Sequence, residues 1–450
     1  MAKTKTVSLT EGNITKQIFN FGWPVFVSSV FNELYNITNS LIVGNYVSLK
    51  ALSAVSACAW ICNIFNYAFY GVGMGTGIIV ARYYGAKDEK NLTKTLDTAI
   101  IFAMVLGIGS TVLSELFLPT LMRWCNISAD LFDLASSYLR VYFLGHTAVL
   151  TYQVCMFILR SFGDTKHQLY YSIISSLVNL FLGMILVRVF NLNVIGTAIA
   201  TLVAQIVLDV LALRLMMNYE VVNIDLKNPD FSFDIVKQIC SLGIPASLQN
   251  MLIALSSMMV QSYVNTFSNE VIAGIGVAEK IVNWGQMPTQ AFSTATVSLV
   301  AQNLGAEKYD RVQNSIMECL KLSTICNVAA IVVIYALAPW LVSRFNSTSA
   351  VIAYGTEMIR TAIFGMFFLN ISHICNAACR AAGNVKVPMI IAVFSQVICK
   401  YLFVYIGLKI NYDVHVLYLG SAFGFTMAGI LAYLYFFKGN WTLENGLRAK

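Results

Sequence analysis

The sequence predicts an all-α integral membrane protein of about twelve transmembrane helices, arranged as two six-helix lobes. Three observations carry that expectation. Long apolar segments recur at a regular rhythm along the 450 residues, and each supplies the ~20 residues that a membrane-spanning helix needs. Hydrophobic residues make up 58% of the chain and charged residues only 11%, against roughly 25% in soluble domains. Too few charges remain to cover a water-exposed surface. The second half also repeats the polar landmarks of the first at an offset of about 220 residues.

The spans are expected at 14–44, 52–80, 95–122, 132–159, 168–190, 194–218, 234–266, 270–300, 312–343, 350–379, 387–408 and 415–437. The polar stretch before the first span lacks the short apolar run of a cleaved signal peptide, so 14–44 reads as a permanent span. Several segments exceed the minimal length, which predicts tilt or kinks. Polar breaks separate them, for example Tyr83-Tyr84-Gly85-Ala86-Lys87-Asp88-Glu89-Lys90. The stretch from Asp225 to Asp230 is the natural linker. It divides an amino-terminal lobe, 1–220, from a carboxy-terminal lobe, 234–450, with 221–233 between them.

Lys and Arg set the orientation, because cytoplasmic loops carry their excess. With the amino terminus inside, the inner segments hold Lys3, Lys5, Arg82, Lys87, Lys90 and Lys94, then Arg160, Lys166 and Lys227. Further inner positions are Lys237, Lys308, Arg311, Arg380, Lys386, Lys438, Arg448 and Lys450. The outer segments hold Lys50, Arg123, Arg188, Arg344 and Lys409. Both termini are therefore expected in the cytoplasm, in the inner (plasma) membrane of the cell. The net charge of +7 follows from this loop bias, and no nucleic-acid partner is expected.

The duplication is specific. Lys16-Gln17, Gly22 and Pro24 match Lys237-Gln238, Gly243 and Pro245. Ala81-Arg82-Tyr83-Tyr84-Gly85-Ala86 matches Ala301-Gln302-Asn303-Leu304-Gly305-Ala306. Arg160, Gly163, Asp164 and Lys166 match Arg380, Gly383, Asn384 and Lys386, and Pro119 matches Pro339. An even number of spans per repeat gives both halves one topology, related by a pseudo-two-fold axis along the membrane normal. Two such bundles can rock around a central cavity, which is the mechanics of a transporter. Pro24 and Pro245 open matching helices and allow bending, although an early helix position also explains them. Clustered His, Asp or Glu at catalytic spacing is absent, and so is a Gly-x-x-x-x-Gly-Lys-[Ser/Thr] phosphate loop. Neither enzymatic chemistry nor direct ATP drive is expected. The ten cysteines lie mostly in apolar runs and read as small buried hydrophobes.

Three runs resemble multidrug and toxic compound extrusion (MATE) transporters. They are Leu34-Tyr35-Asn36-Ile37-Thr38-Asn39-Ser40-Leu41-Ile42-Val43-Gly44, Leu159-Arg160-Ser161-Phe162-Gly163-Asp164-Thr165-Lys166, and Pro288 followed by Ala301 to Ala306. The resemblance extends from about Gly12 to about Lys438 and implies efflux of a small-molecule substrate by a monomer, driven by protons or sodium ions, with no cofactor besides coupling Na+ or H+. In the DinF-like branch it implies two aspartates in the amino-terminal lobe that bind the coupling cation. Here those positions are Asn39 and Gly183. An amide ligates sodium through its carbonyl oxygen but does not exchange protons in the physiological range. Asn179 and Thr201 match positions that line the same pocket.

Polar and ionisable groups inside spans are costly and mark function. Glu33 shares a helix face with Asn36 and Ser40 and is the expected replacement for the missing acids. Pairing with a neighbouring helix is the other reading. Asp209, one turn after Gln205, is a second coupling candidate, or a structural partner of Arg214. Lys280 and Lys400 are expected near the carboxy-terminal cavity, where two cations favour anionic substrates; pairing of Lys280 with an acid across the lobe interface is the other reading. His373 and Gln153, which match between the halves, and Trp284 complete the cavity candidates. No metal site is expected. The alternative function is a flippase for a lipid-linked oligosaccharide or cell-wall precursor.

Overall fold

The computed structural model describes residues 6–125, 127–222 and 229–439. Lys3, Lys5, Lys227, Arg448, Lys450 and most of the linker fall outside this set, as does the side chain of Ser40. The described residues form long helices throughout: α1 Ile14–Tyr46, α2 Leu49–Gly85, α3 Glu89–Leu116, α4 Phe132–Leu144 with His146–Ser161, α5 Lys166–Val189 and α6 Asn193–Met217. The second half supplies α7 Phe233–Val264, α8 Asn269–Gly305, α9 Tyr309–Ser343, α10 Ser349–Ala381, α11 Lys386–Ile410 and α12 His415–Lys438. Among the described residues nine helices are long and apolar enough to cross a membrane, and ten if the bent pair in α4 is one span. The two remaining members, α1 and α8, are equally long but carry more polar groups, Asn32, Glu33, Asn36 and Asn39 in one and Glu279 and Lys280 in the other.

Short polar side chains start these helices by satisfying free backbone N–H groups. Ser48 Oγ accepts from Ala51 N at 3.0 Å, Asp88 Oδ1 from Asn91 N at 3.1 Å and Ser268 Oγ from Val271 N at 3.5 Å. The expected third span, 95–122, is not continuous. It breaks at Phe117 and resumes as a short helix, Leu118–Trp124, with Pro119 in its first turn, where a missing N–H costs nothing. The matching Pro339 lies inside an unbroken α9. The fourth span bends by 48° at Gly145. There His146 is buried, its Nδ1 3.3 Å from Ser110 Oγ and its ring centroid 4.5 Å from that of Phe65.

Two of the internally repeated motifs are helix ends. Gly163 and Gly383 have φ of 76° and 94°, the left-handed geometry that closes a helix. In each, the backbone wraps identically: Gly163 N donates to Arg160 O and Asp164 N to Leu159 O, as Gly383 N does to Arg380 O and Asn384 N to Cys379 O. Asp164 and Asn384 then each bond a tyrosine from the end of the lobe's last helix, Tyr219 and Tyr435. The other repeated loop places Lys87 and Glu307 at φ of 55° and 56°. Side chains other than glycine pay strain there, so Lys87→Gly and Glu307→Gly should each stabilise the protein by up to ~1 kcal/mol. Melting temperatures in detergent check this; unchanged or lowered values refute it.

Asp164 lies outside the spans. Burial alone raises its carboxyl, but hydrogen bonds from His167 and Tyr219 outweigh that and hold it below the ordinary carboxylate value. A depressed folded-state value contributes stability that is complete above the unfolded pKa of about 3.9 and lost as pH falls through the folded value. Asp164→Asn should therefore melt lower than wild type near neutral pH, with the gap closing at acid pH. A gap that persists unchanged to the acid limit would assign the effect to packing.

The chain divides into two compact units, residues 1–9 with 23–247 and residues 10–22 with 248–450. Both units therefore exchange the first turns of their leading helix relative to the expected lobes. Pro24 and Pro245 lie inside α1 and α7, about three turns from their starts, so an early-helix position does not explain them. Each sits within three residues of the point where its helix passes from one unit to the other. In the first unit α4 packs on α2, α3 and α6; in the second α10 packs on α8, α9 and α12. The described end of the linker is tied to α3, with Asp230 N donating to Asp97 Oδ2 at 3.2 Å and Lys94 Nζ 3.6 Å from Asp230.

Candidate functional site

Within the first unit, five helices bring polar side chains together in an otherwise apolar bundle. On α1, Tyr35 and Asn39 are one turn apart, and Asn36 beside them also reaches the cavity. On α6, Thr201 and Gln205 bear the same relation. Helix α2 adds Asn63 and Asn66, and the first part of α4 adds Tyr138 and Tyr142. These groups line a cavity of about 480 Å³, inside the range of drug-sized sites. Asn179, on α5, stands behind it and is 0% exposed.

Asn179 organises the inner wall. Its Nδ2 donates to Thr201 Oγ1 at 3.3 Å and to Tyr35 Oη at 3.4 Å, while Tyr35 Oη donates to Thr201 Oγ1 at 3.0 Å. On the opposite wall Tyr142 Oη donates to Asn66 Oδ1 at 3.4 Å, and the Tyr138 and Tyr142 rings stack with centroids 6.3 Å apart. Several oxygens are buried without a partner: Asn39 Oδ1, Asn179 Oδ1, Gln205 Oε1 and Asp209 Oδ1. Buried acceptors left unpaired in this way are uncommon and costly, and here they come from three adjacent helices. Among the described residues no charged side chain lines the cavity.

Of the residues expected from sequence, the structure joins Asn36, Asn39 and Thr201 at the cavity with Asn179 directly behind. Glu33 is not among the lining residues; α1 turns Tyr35, Asn36 and Asn39 to the cavity instead. Asp209 lies one turn beyond Gln205, outside the lining, and forms no ion pair with Arg214 among the described residues. At Gly183 a Cβ would stand 3.4 Å from Ile42 Cδ1 and 3.7 Å from Ala200 Cβ, an aliphatic setting.

The remaining candidates are dispersed. Gln153 sits on α4, where its carbonyl faces Gly73 of α2. Trp284 packs against Phe345 with ring centroids 5.7 Å apart. The His373 carbonyl accepts from Ser293 Oγ at 3.3 Å. Lys400 rests its stem on Gly424 and interacts through space with Glu279. The Glu279 carboxylate is therefore a countercharge to Lys400. Sequence reasoning missed Asn63, Asn66, Tyr138 and Tyr142. The one available signal was Asn63-x-x-Asn66, two amides nearly a turn apart in an apolar helix.

The MatE family profile matches residues 24–185 and again 245–406, two matches of equal length that restate the internal duplication. The probable multidrug resistance protein YpnP of Bacillus subtilis (strain 168) is 24% identical over 443 residues, covering 97% of this chain and 98% of that protein. The multidrug export protein MepA of Staphylococcus aureus (strain MRSA252) is 21% identical over 386 residues, covering 86% and 85%. A solved structure, the outward-facing conformation of a multidrug resistance MATE family transporter of the MOP superfamily, matches with a TM-score of 0.90 at 22% identity, covering 97% of this chain and 98% of the other. Fold and profile agree on two related six-helix halves. The chain belongs to the MatE family and is a multi-pass membrane transporter, not an enzyme.

Proposed function

We propose that this protein exports small organic molecules by alternating access, as an antiporter of the inner membrane with both termini in the cytoplasm, acting as a monomer. The similarity to multidrug resistance and export proteins supports the direction of transport. The cavity of about 480 Å³ supports a drug-sized substrate over the headgroup of a lipid-linked oligosaccharide.

The observation that carries the coupling is the set of unpaired amide oxygens on Asn39, Asn179 and Gln205. Neutral carbonyl oxygens are hard ligands suited to an alkali cation, so sodium is the proposed coupling ion. Proton coupling is favoured by one specific observation, the unpaired buried carboxyl oxygen of Asp209 beside this set. Export by proteoliposomes under an imposed sodium or proton gradient separates the two. Wild type should respond to sodium, and Asp209→Asn should keep at least half of that rate. Loss of a proton-driven rate in Asp209→Asn, with no sodium response in wild type, would replace sodium by the carboxyl. Glu33→Gln should leave both responses unchanged.

A further inference from the structure

We propose that the cavity of the first unit selects uncharged, hydrogen-bonding, flat molecules and discriminates against organic cations. The inference rests on the reading of this cavity as the substrate chamber and names the class of substrate it takes.

Charge is the first ground. An ion moved from water into a membrane-embedded cavity loses its hydration, and only an opposite charge or a full set of dipoles makes that loss good. The described lining supplies no carboxylate and no cation. The acid positions expected from sequence are an amide, Asn39, and a glycine, Gly183, the latter held among aliphatic groups.

Complementarity is the second. Asn36, Asn63 and Asn66 bring both donors and acceptors from two helices, and Gln205 presents an acceptor with no partner. A ligand carrying its own N–H and C=O groups satisfies such walls; a quaternary cation has no donor to offer them. Shape is the third. Tyr138 and Tyr142 lie nearly parallel, 17° between planes, one turn apart on the same wall, which suits the face or edge of an aromatic ligand.

The test uses two fluorescent tricycles of similar outline. Lumichrome is neutral and bears two N–H donors and several acceptors; N-methylacridinium carries a fixed positive charge and no donor. Binding to the full-length protein in detergent is followed by fluorescence anisotropy, with empty micelles as the blank. Lumichrome should bind at least about tenfold more tightly. Asn63→Asp, nearly isosteric, should move the preference toward N-methylacridinium by about tenfold or more, and Asn66→Leu should weaken lumichrome by about fivefold. Size-exclusion profiles establish that both variants fold. Equal or tighter binding of N-methylacridinium by wild type overturns the inference, as does binding of neither probe or a preference untouched by Asn63→Asp.

Export of the same probes from proteoliposomes keeps the two readings apart. If N-methylacridinium is bound in preference and exported, the transport reading stands and the substrate class falls. If lumichrome is bound as expected but never exported, the class stands and the transport reading falls.

Discussion

Asn179→Leu should lower gradient-driven export by about 100-fold, the largest functional loss expected of any single substitution. Asn179 is fully buried and its amide supplies hydrogen bonds to both Tyr35 and Thr201. Leucine has the same branched shape and the same number of side-chain heavy atoms, though it is bulkier, and it supplies no hydrogen bond and no ligating oxygen. Two half-buried hydroxyls lose a donor, and a polar group left unmet on burial costs ~1–3 kcal/mol. The tie between α5 and the pair formed by α1 and α6 is lost with it. Asn179→Asp should behave differently, because it keeps the oxygen and adds a titratable group. Export by that variant should become pH-dependent while retaining a sodium response. Initial rates in proteoliposomes under each gradient separate the cases. A leucine variant that exports within about threefold of wild type would remove Asn179 from the coupling machinery.

Gly71→Ala should be among the most destabilising substitutions in the first unit, costing ~3 kcal/mol or more. Helices α2 and α7 cross there at backbone contact, as small residues allow in membranes. A Cβ on Gly71 would lie 2.0 Å from Ser247 Oγ and 2.4 Å from the Gly243 carbonyl oxygen, and a Cβ on Gly243 would lie 2.5 Å from Gly71 O. The serine hydroxyl can rotate away, but the Gly243 backbone cannot. Adding Ser247→Ala to Gly71→Ala should therefore recover little. Gly109 is the control: nothing lies within 4 Å of its Cβ position, so Gly109→Ala should be neutral or gain up to ~1 kcal/mol of helix propensity. Thermal unfolding of the purified variants reads all three. Equal melting points for Gly71→Ala and Gly109→Ala would show that the crossing yields at no cost.

The legible part of the site lay in runs that match a family pattern. Asn36, Asn39, Asn179 and Thr201 were reached that way, and the structure brings them together. Glu33 was reached by a different argument, that a carboxyl in an apolar helix must replace the missing acids. That reasoning takes each helix alone. Residues 33 and 35 point to different sides of α1, and which side faces the cavity depends on the helices packed around it. Asn63, Asn66, Tyr138 and Tyr142 carried no family signature and no charge, so their role appears only when α2 and α4 are set beside α1.

The motif Arg160-x-x-Gly163-Asp164 illustrates a second limit. Its recurrence as Arg380-x-x-Gly383-Asn384 marked it as important, and the structure shows that its glycine and its following polar residue close a helix and fasten the next loop to a tyrosine. Matching sequence did not guarantee matching shape elsewhere. Pro119 starts a new helix after a break, whereas Pro339 continues inside α9, because a proline's effect depends on whether its surroundings satisfy the carbonyl it frees.

By itself the sequence determined the all-helical membrane fold, the approximate places of the spans and the duplication, because each follows from local chemistry: apolar runs of bilayer length and a repeat. Only the tertiary structure decided which polar groups face a common cavity, which helices cross at glycine contact and where α1 and α7 pass between the two units. Those properties depend on the rotation and spacing of helices distant in the chain, which are set by close packing between surfaces that no short stretch of sequence contains.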